Sequence, residues 1–105
     1  MSTFPRSRAI EEIRAERHRQ VAEEGYTAAH DDHHDRGEMA QAAAACAVAA
    51  WYMAMGGALP ELPVEIWPAD WGPMVKLPNQ RRALVVAAAL IVAELERLDR
   101  AEATA

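Results

Sequence analysis

The run MAQAAAACAVAAWYMAM, Met39 to Met55, decides the fold. Alanine has the best helix propensity and a very small side chain, so this run is a helix that neighbouring backbones can approach closely on any side. The helix is expected from Asp35 or Arg36 to Met55, with Gly56-Gly57 as its stop, and it belongs at the centre of an all-α fold. It is too lightly hydrophobic, with Gln41 near its start, to read as a membrane span.

Two more helices lie outward from it. Upstream, Arg8 to Glu24 follows an N-cap at Ser7 and precedes a C′ residue at Gly25. Its apolar stripe, Ile10, Ile13 and Val21, is thin and is interrupted by Arg17, so the helix must lean on others. Downstream, Asn79 caps a helix reaching about Ala101. Leu84, Ala88, Ile91, Leu95 and Leu98 follow one stripe along it, while Val86 and Leu90 make the other side apolar too. Such a helix is either buried on both sides or in contact with another chain.

Between these helices, residues 56–78 hold five prolines, which exclude a long regular element. They also hold Trp67 and Trp71, which a disordered linker would not carry. The segment is expected to be an ordered arm, with Trp51, Trp67 and Trp71 anchoring it to the helices. The expected architecture is a single small helical domain over 1–105, a three-helix core plus a Pro/Trp-rich arm, with 1–7 and 101–105 frayed.

A net charge of −5 argues against coating nucleic acid, which needs a basic surface. One cysteine excludes an internal disulfide, and Cys46, set in the alanine run, reads as a buried inert thiol. The opening MSTFPRSRAIEEIRAER is too charged for a signal peptide, so a soluble cytoplasmic chain is expected.

The chemistry concentrates in HDDHHDRGE, His30 to Glu38. If 30–34 is a helical turn, His30 and His34 share a side, with Asp31, Asp32 and Glu38 close by. Imidazoles and carboxylates so grouped suit a divalent metal: magnesium or manganese from the oxygens, zinc from the imidazoles. Glu16, His18 or Glu24 of the first helix would add a ligand. The plainer reading is a solvated loop and a D-x-x-E capping box, Asp35 as N-cap and Glu38 at N3. Arg81-Arg82 at a helix N-terminus opposes the dipole, a tension that a bound phosphate would relieve, as would a salt bridge to Glu61, Glu65 or Asp70.

The runs ERHRQ (16–20), EGYTAAHDDHH (24–34), GEMA (37–40) and RRALVVAAALIVAELERLD (81–99) resemble a set of small phage and prophage helical proteins. Their pattern reads approximately ERxRQ, EG(W/Y)TxxHDDxH, GELAxAA, and the likeness covers about Ile13 to Arg100. It implies a bacterial host and one constellation of Glu24, His30, Asp31, Asp32, His34 and Glu38, with Arg19 and Gln20 beside it. GEMAQA is also similar to a stretch of MazG-type all-α nucleoside triphosphate pyrophosphatases, which would make Asp35/Glu38 and Glu96/Asp99 the magnesium-holding pairs. The first of these pairs begins with Asp where that family has Glu, and the gap between the pairs is longer. His30-Asp31 resembles the doublet of HD-domain phosphohydrolases, without the spacing of the remaining ligands.

The leading expectation is a phage-type accessory protein that binds, and in its fuller form hydrolyses, a phosphorylated nucleotide-like ligand at a metal site. The metal ligands would be Glu24, His30, Asp31, Asp32, His34 and Glu38, with Asp32 and Glu38 catalytic. Arg19, Gln20, Arg81, Arg82 and Trp67 would hold the ligand. Two alternatives stand beside it: a non-enzymatic inhibitor or signal-sequestering protein that acts on a host defence system, and a structural helical homo-oligomer.

Overall fold

The computed structural model describes residues 7–56 and 61–104. The described residues form five α-helices and no strand: α1 (Arg8–Glu23), α2 (Ala28–Asp31), α3 (Glu38–Ala54), α4 (Glu61–Ile66) and α5 (Gln80–Ala103). A 3-10 turn, Ala69–Trp71, lies between α4 and α5. The fold is all-α, and three of its helices are long.

Local chemistry sets most helix ends. The Ser7 side chain accepts from Ile10 N–H, and the Asn79 side chain accepts from Arg82 N–H at 2.8 Å. Gly25 and Gly56 follow α1 and α3 with φ of 73° and 78°, the left-handed conformation that glycine adopts without strain. Gly57 lies outside the described residues. The start of α3 departs from the expected capping box. Its N-cap is Gly37, at φ 81°, and Glu38 is the first helical residue. The Glu38 carboxylate turns back to accept from Arg36 N–H at 2.6 Å, so Asp35 caps nothing there. The end of α5 is helical through Ala103, beyond the expected fraying point.

The helix α5 is the hub, packing against α1, α2 and α3, while α3 also carries α4. The apolar core lies between α3 and α5: Ala42, Ala43, Ala45 and Cys46 meet Val86, Ala87 and Leu90, and Trp67 of the arm closes the cluster. Burial pushes the Cys46 thiol up to about 12, so it is a packed, unreactive group. Trp51 is not an anchor; it is 57% exposed and rests on its neighbour Tyr52.

Two hydrophobic stripes face the other way from their simplest reading. In α1 the buried residues are Glu16 and Gln20, while Ile10 and Val21 are exposed. In α5 the side bearing Val86 and Leu90 makes the core, whereas Leu84, Ile91, Leu95 and Leu98 are each about half exposed. Periodicity identifies an apolar face; it does not say which of two faces meets the core.

Ion pairs join α1 to its neighbours. Arg81 bonds Glu12 and Arg82 bonds Glu16, each at 2.7 Å, so α1 rather than the arm relieves the positive start of α5. Further along, Arg17 reaches Glu96 at 3.0 Å. No described helix is long and apolar enough to cross a membrane.

Candidate functional site

Because α1 packs on α5 through polar residues, a cleft of about 400 Å³ opens between them beside the arm. The side of α1 facing it carries Glu16, Arg19, Gln20 and Glu24; α5 adds Arg82, Val86 and Leu90; Tyr26, Trp67, Val75 and Lys76 complete the wall. At its base Glu16 is only 3% exposed. It accepts from Arg19 at 2.8 and 2.9 Å and from Arg82 at 2.7 Å. Burial pushes the Glu16 carboxyl up, but the hydrogen bonds from Arg19 and Arg82 outweigh that and hold it below its ordinary value. Glu16 is therefore an anion that fixes two guanidinium groups.

Gln20, 2% exposed, donates its Nε2 to Glu16 at 3.3 Å. That contact orients the amide, because the opposite flip would set carbonyl oxygen against carboxylate. Gln20 Oε1 is then a buried acceptor without a partner among the described residues, and Trp67 Nε1 is a buried donor in the same condition. Unmet buried polar atoms are uncommon and costly. Here one acceptor and one donor belong to residues lining the same cleft.

A run of rings leads from the cleft to the histidines. Tyr26 stacks on His30 with centroids 4.9 Å apart and planes within 9°. His34 packs on Trp71 at 5.0 Å, and Trp71 packs edge-on to Trp67 at 5.5 Å. His30 sits in α2, which Thr27 caps by accepting from His30 N–H, and the turn after α2 returns His34 to the same side. Each imidazole is gripped at Nδ1: His30 by Asp31 and His34 by Glu38, both at 3.1 Å. Their Nε2 atoms approach to 3.4 Å, with the two rings edge to face and centroids 4.7 Å apart. Asp31 is fully buried and also accepts from Arg17 at 2.9 Å. Burial raises the Glu38 carboxyl, but hydrogen bonds from its own N–H, from His34 and from Arg36 N–H hold it below its ordinary value.

Comparison with known proteins found no matching family model, no matching curated protein and no matching solved structure. The site is therefore read from its own residues.

The residues singled out in the sequence divide into three groups. Arg19, Gln20, Arg82 and Trp67 meet at the cleft, while Arg81 lies outside it on Glu12. His30, Asp31, His34 and Glu38 form one linked set. Glu24 and Asp32 stand apart from that set: Glu24 accepts from Arg19 at 3.0 Å, and Asp32 is exposed and accepts from Arg100 at 2.8 Å. Among the described residues no three His, Cys, Asp or Glu side chains stand ready as ligands of one ion. The predicted six-residue metal set is thus not assembled as such, and strong guanidinium partners explain why: Arg17, Arg19 and Arg100 each claim a carboxylate. Of the two carboxylate pairs suggested by the pyrophosphatase likeness, Glu38 serves His34 and Glu96 serves Arg17. The cleft also takes in Tyr26 and Lys76; Tyr26 sits within a conspicuous motif, whereas nothing in the sequence near Lys76 marks it.

Proposed function

We propose that this protein binds a small phosphorylated, nucleotide-like ligand in the cleft between α1 and α5. The observation that carries this reading is the unmet pair, Gln20 Oε1 and Trp67 Nε1. A planar heterocycle with donor and acceptor groups, as a nucleobase has, carries the two kinds of partner that these atoms lack. Tyr26 and Trp67 supply aromatic surface for its faces. Arg19, Arg82 and Lys76 outnumber Glu16 and Glu24 on the lining by one, so the cleft is cationic in a chain whose net charge is −5. That sign suits a phosphate.

Calorimetric titration with nucleosides and their mono- and diphosphates tests the proposal. Trp67→Phe keeps the ring and removes the donor; Gln20→Leu removes the acceptor. Each is expected to weaken binding about 10-fold, the worth of one buried hydrogen bond. Lys76→Ala is expected to weaken the phosphorylated ligands and leave the nucleosides unchanged. If the panel does not bind, or if both variants bind it as well as the parent chain, the reading is wrong.

A second reading, compatible with the first, concerns assembly. The residues Leu84, Ala88, Ile91, Leu95 and Leu98 are spaced alternately by four and three, the repeat by which one helix packs along another. We infer that the stripe meets the same stripe of a second copy, antiparallel. This orientation opposes the two α5 dipoles and keeps the two Arg81-Arg82 starts apart. Leu95→Glu is expected to convert a dimer to a monomer by light scattering, with the helical circular dichroism intact. A parent chain that is monomeric at high micromolar concentration contradicts it.

A further inference from the structure

The histidine–aspartate motif lies outside the cleft between α1 and α5, yet it reaches one wall of that cleft at Tyr26. Gly25, at φ 73°, turns the chain back after α1, and Tyr26 N–H then donates to the Gln20 carbonyl at 3.0 Å. Tyr26 is thereby tied to the residue whose side chain carries the unmet acceptor. Two further contacts fix it. Its carbonyl accepts from Arg17 Nη1 at 3.2 Å. One face of its ring is taken by His30, stacked with centroids 4.9 Å apart and planes within 9°. The rest of the ring is left to line the cleft.

Both contacts lead to one carboxylate. Asp31, which has no solvent exposure, accepts from Arg17 Nη2 at 2.9 Å through Oδ2 and meets His30 Nδ1 at 3.1 Å through Oδ1. Its two oxygens are thus divided between the group that holds the Tyr26 carbonyl and the ring that stacks on the Tyr26 ring. The Nε of Arg17 donates to Glu96 of α5 at 3.0 Å, so the guanidinium is also fixed to the hub helix. A binding wall held in place by such buried bonds loses little freedom when a ligand arrives, and this is the gain from preorganisation.

We propose that Asp31 is a positioning residue for the cleft: through Arg17 and His30 it sets the Tyr26 ring against which the base of the ligand stacks. The proposal rests on the reading of the cleft as a nucleotide site. It gives the motif a role at the base end of the ligand, whereas Lys76 acts on the phosphate.

The test titrates the full chain with adenosine, guanosine, cytidine and uridine, with their 5′-monophosphates, and with ribose 5-phosphate, which has the phosphate and no base. Heat is read by calorimetry, and weak binding by NMR shifts. His30→Ala is expected to weaken the nucleosides and their monophosphates by the same factor, about 3- to 10-fold, the worth of one aromatic contact, and to leave ribose 5-phosphate unchanged. His30→Phe restores a flat ring and should bind within about 2-fold of the parent chain. Asp31→Asn keeps the shape, removes the charge that Arg17 and His30 share, and should weaken the same ligands at least as much as His30→Ala. Asp32→Ala, at the neighbouring carboxylate bound to Arg100, should change nothing. In the free chain the ring-proton NMR shifts of Tyr26 should move in His30→Ala and Asp31→Asn and stay in Asp32→Ala. Should Asp31→Asn fail to fold, Arg17→Lys keeps a charge beside Asp31, loses the fork that reaches the Tyr26 carbonyl, and tests the same link. A parent chain that binds none of the nucleosides or nucleotides ends the cleft reading and this proposal together. A parent chain that binds them, with His30→Ala and the folded Asp31 or Arg17 variant binding as tightly, overturns this proposal alone. An equal loss of ribose 5-phosphate, or a loss that His30→Phe does not restore, also overturns it, since either marks general loosening.

Discussion

Asp31→Ala is expected to cost about 3–5 kcal/mol, the range for breaking a buried ion pair from one side. For a chain of this size that is a large part of the whole stability. The reason is what remains behind. Asp31 has no solvent exposure, and Arg17 opposite it is only 13% exposed in its side chain. Arg17 still has Glu96 and the Tyr26 carbonyl, but the guanidinium nitrogen that donates to Asp31 loses its partner. The same carboxylate holds His30, so the turn carrying both histidines loosens as well. The adjacent Asp32 is a natural control: it is a carboxylate bound to an arginine, yet 49% exposed. Asp32→Ala should change stability by less than about 1 kcal/mol. Removing Arg17 together with Asp31, as Arg17→Met with Asp31→Ala, should cost less than the sum of the single losses, since no unpaired charge is left. Urea unfolding followed by circular dichroism gives all four values. A loss at Asp31 no larger than at Asp32 would mean that the buried pair does not organise this region.

Asp31 and Asp32 also illustrate where sequence reading stops. They are adjacent, chemically identical and equally part of the histidine-rich motif. Which is buried depends on α5, about seventy residues away, because Arg100 draws Asp32 outward while Arg17 takes Asp31. Features decided within a few residues were legible: the Ser7 and Asn79 caps, the glycine stops after α1 and α3, and the i, i+4 pairing of His30 with His34. The capping box at Asp35 and Glu38 matched a true local pattern but lost to another local one, because the Glu38 carboxylate is held by His34 and Arg36 N–H, four and two residues before it. The inward face of α1 was hidden for a different reason. Burial of Glu16 and Gln20 is tolerable only because Arg19 and Arg82 meet the carboxylate, and Arg82 belongs to another helix. Hydrophobic periodicity is blind to such a face. The cleft follows from it, so the cleft too was beyond what spacing alone could show, although Arg19, Gln20, Arg82 and Trp67 could be named.

The alanine run permits the sharpest contrast between neighbouring positions. Ala45 has no solvent exposure and lies in the α3–α5 cluster, while Ala44 points to solvent. Ala45→Leu should therefore cost about 3 kcal/mol or somewhat more, at the upper end for overpacking. The usual escape from an oversized side chain is for its neighbours to change rotamer, but much of this cluster is alanine, which has no rotamers to change. The helices must separate instead, and separation forfeits contacts along the shared face rather than at one residue. Ala44→Leu adds the same atoms where there is room, and leucine is nearly as good a helix former as alanine, so its cost should stay within about 0.5 kcal/mol. In thermal melts the two substitutions should differ by about 10–20 °C for a chain of this length. Equal melting temperatures would mean that α3 and α5 are not in close contact through their small residues. That close approach is what the seventeen-residue run Met39–Met55 predicts.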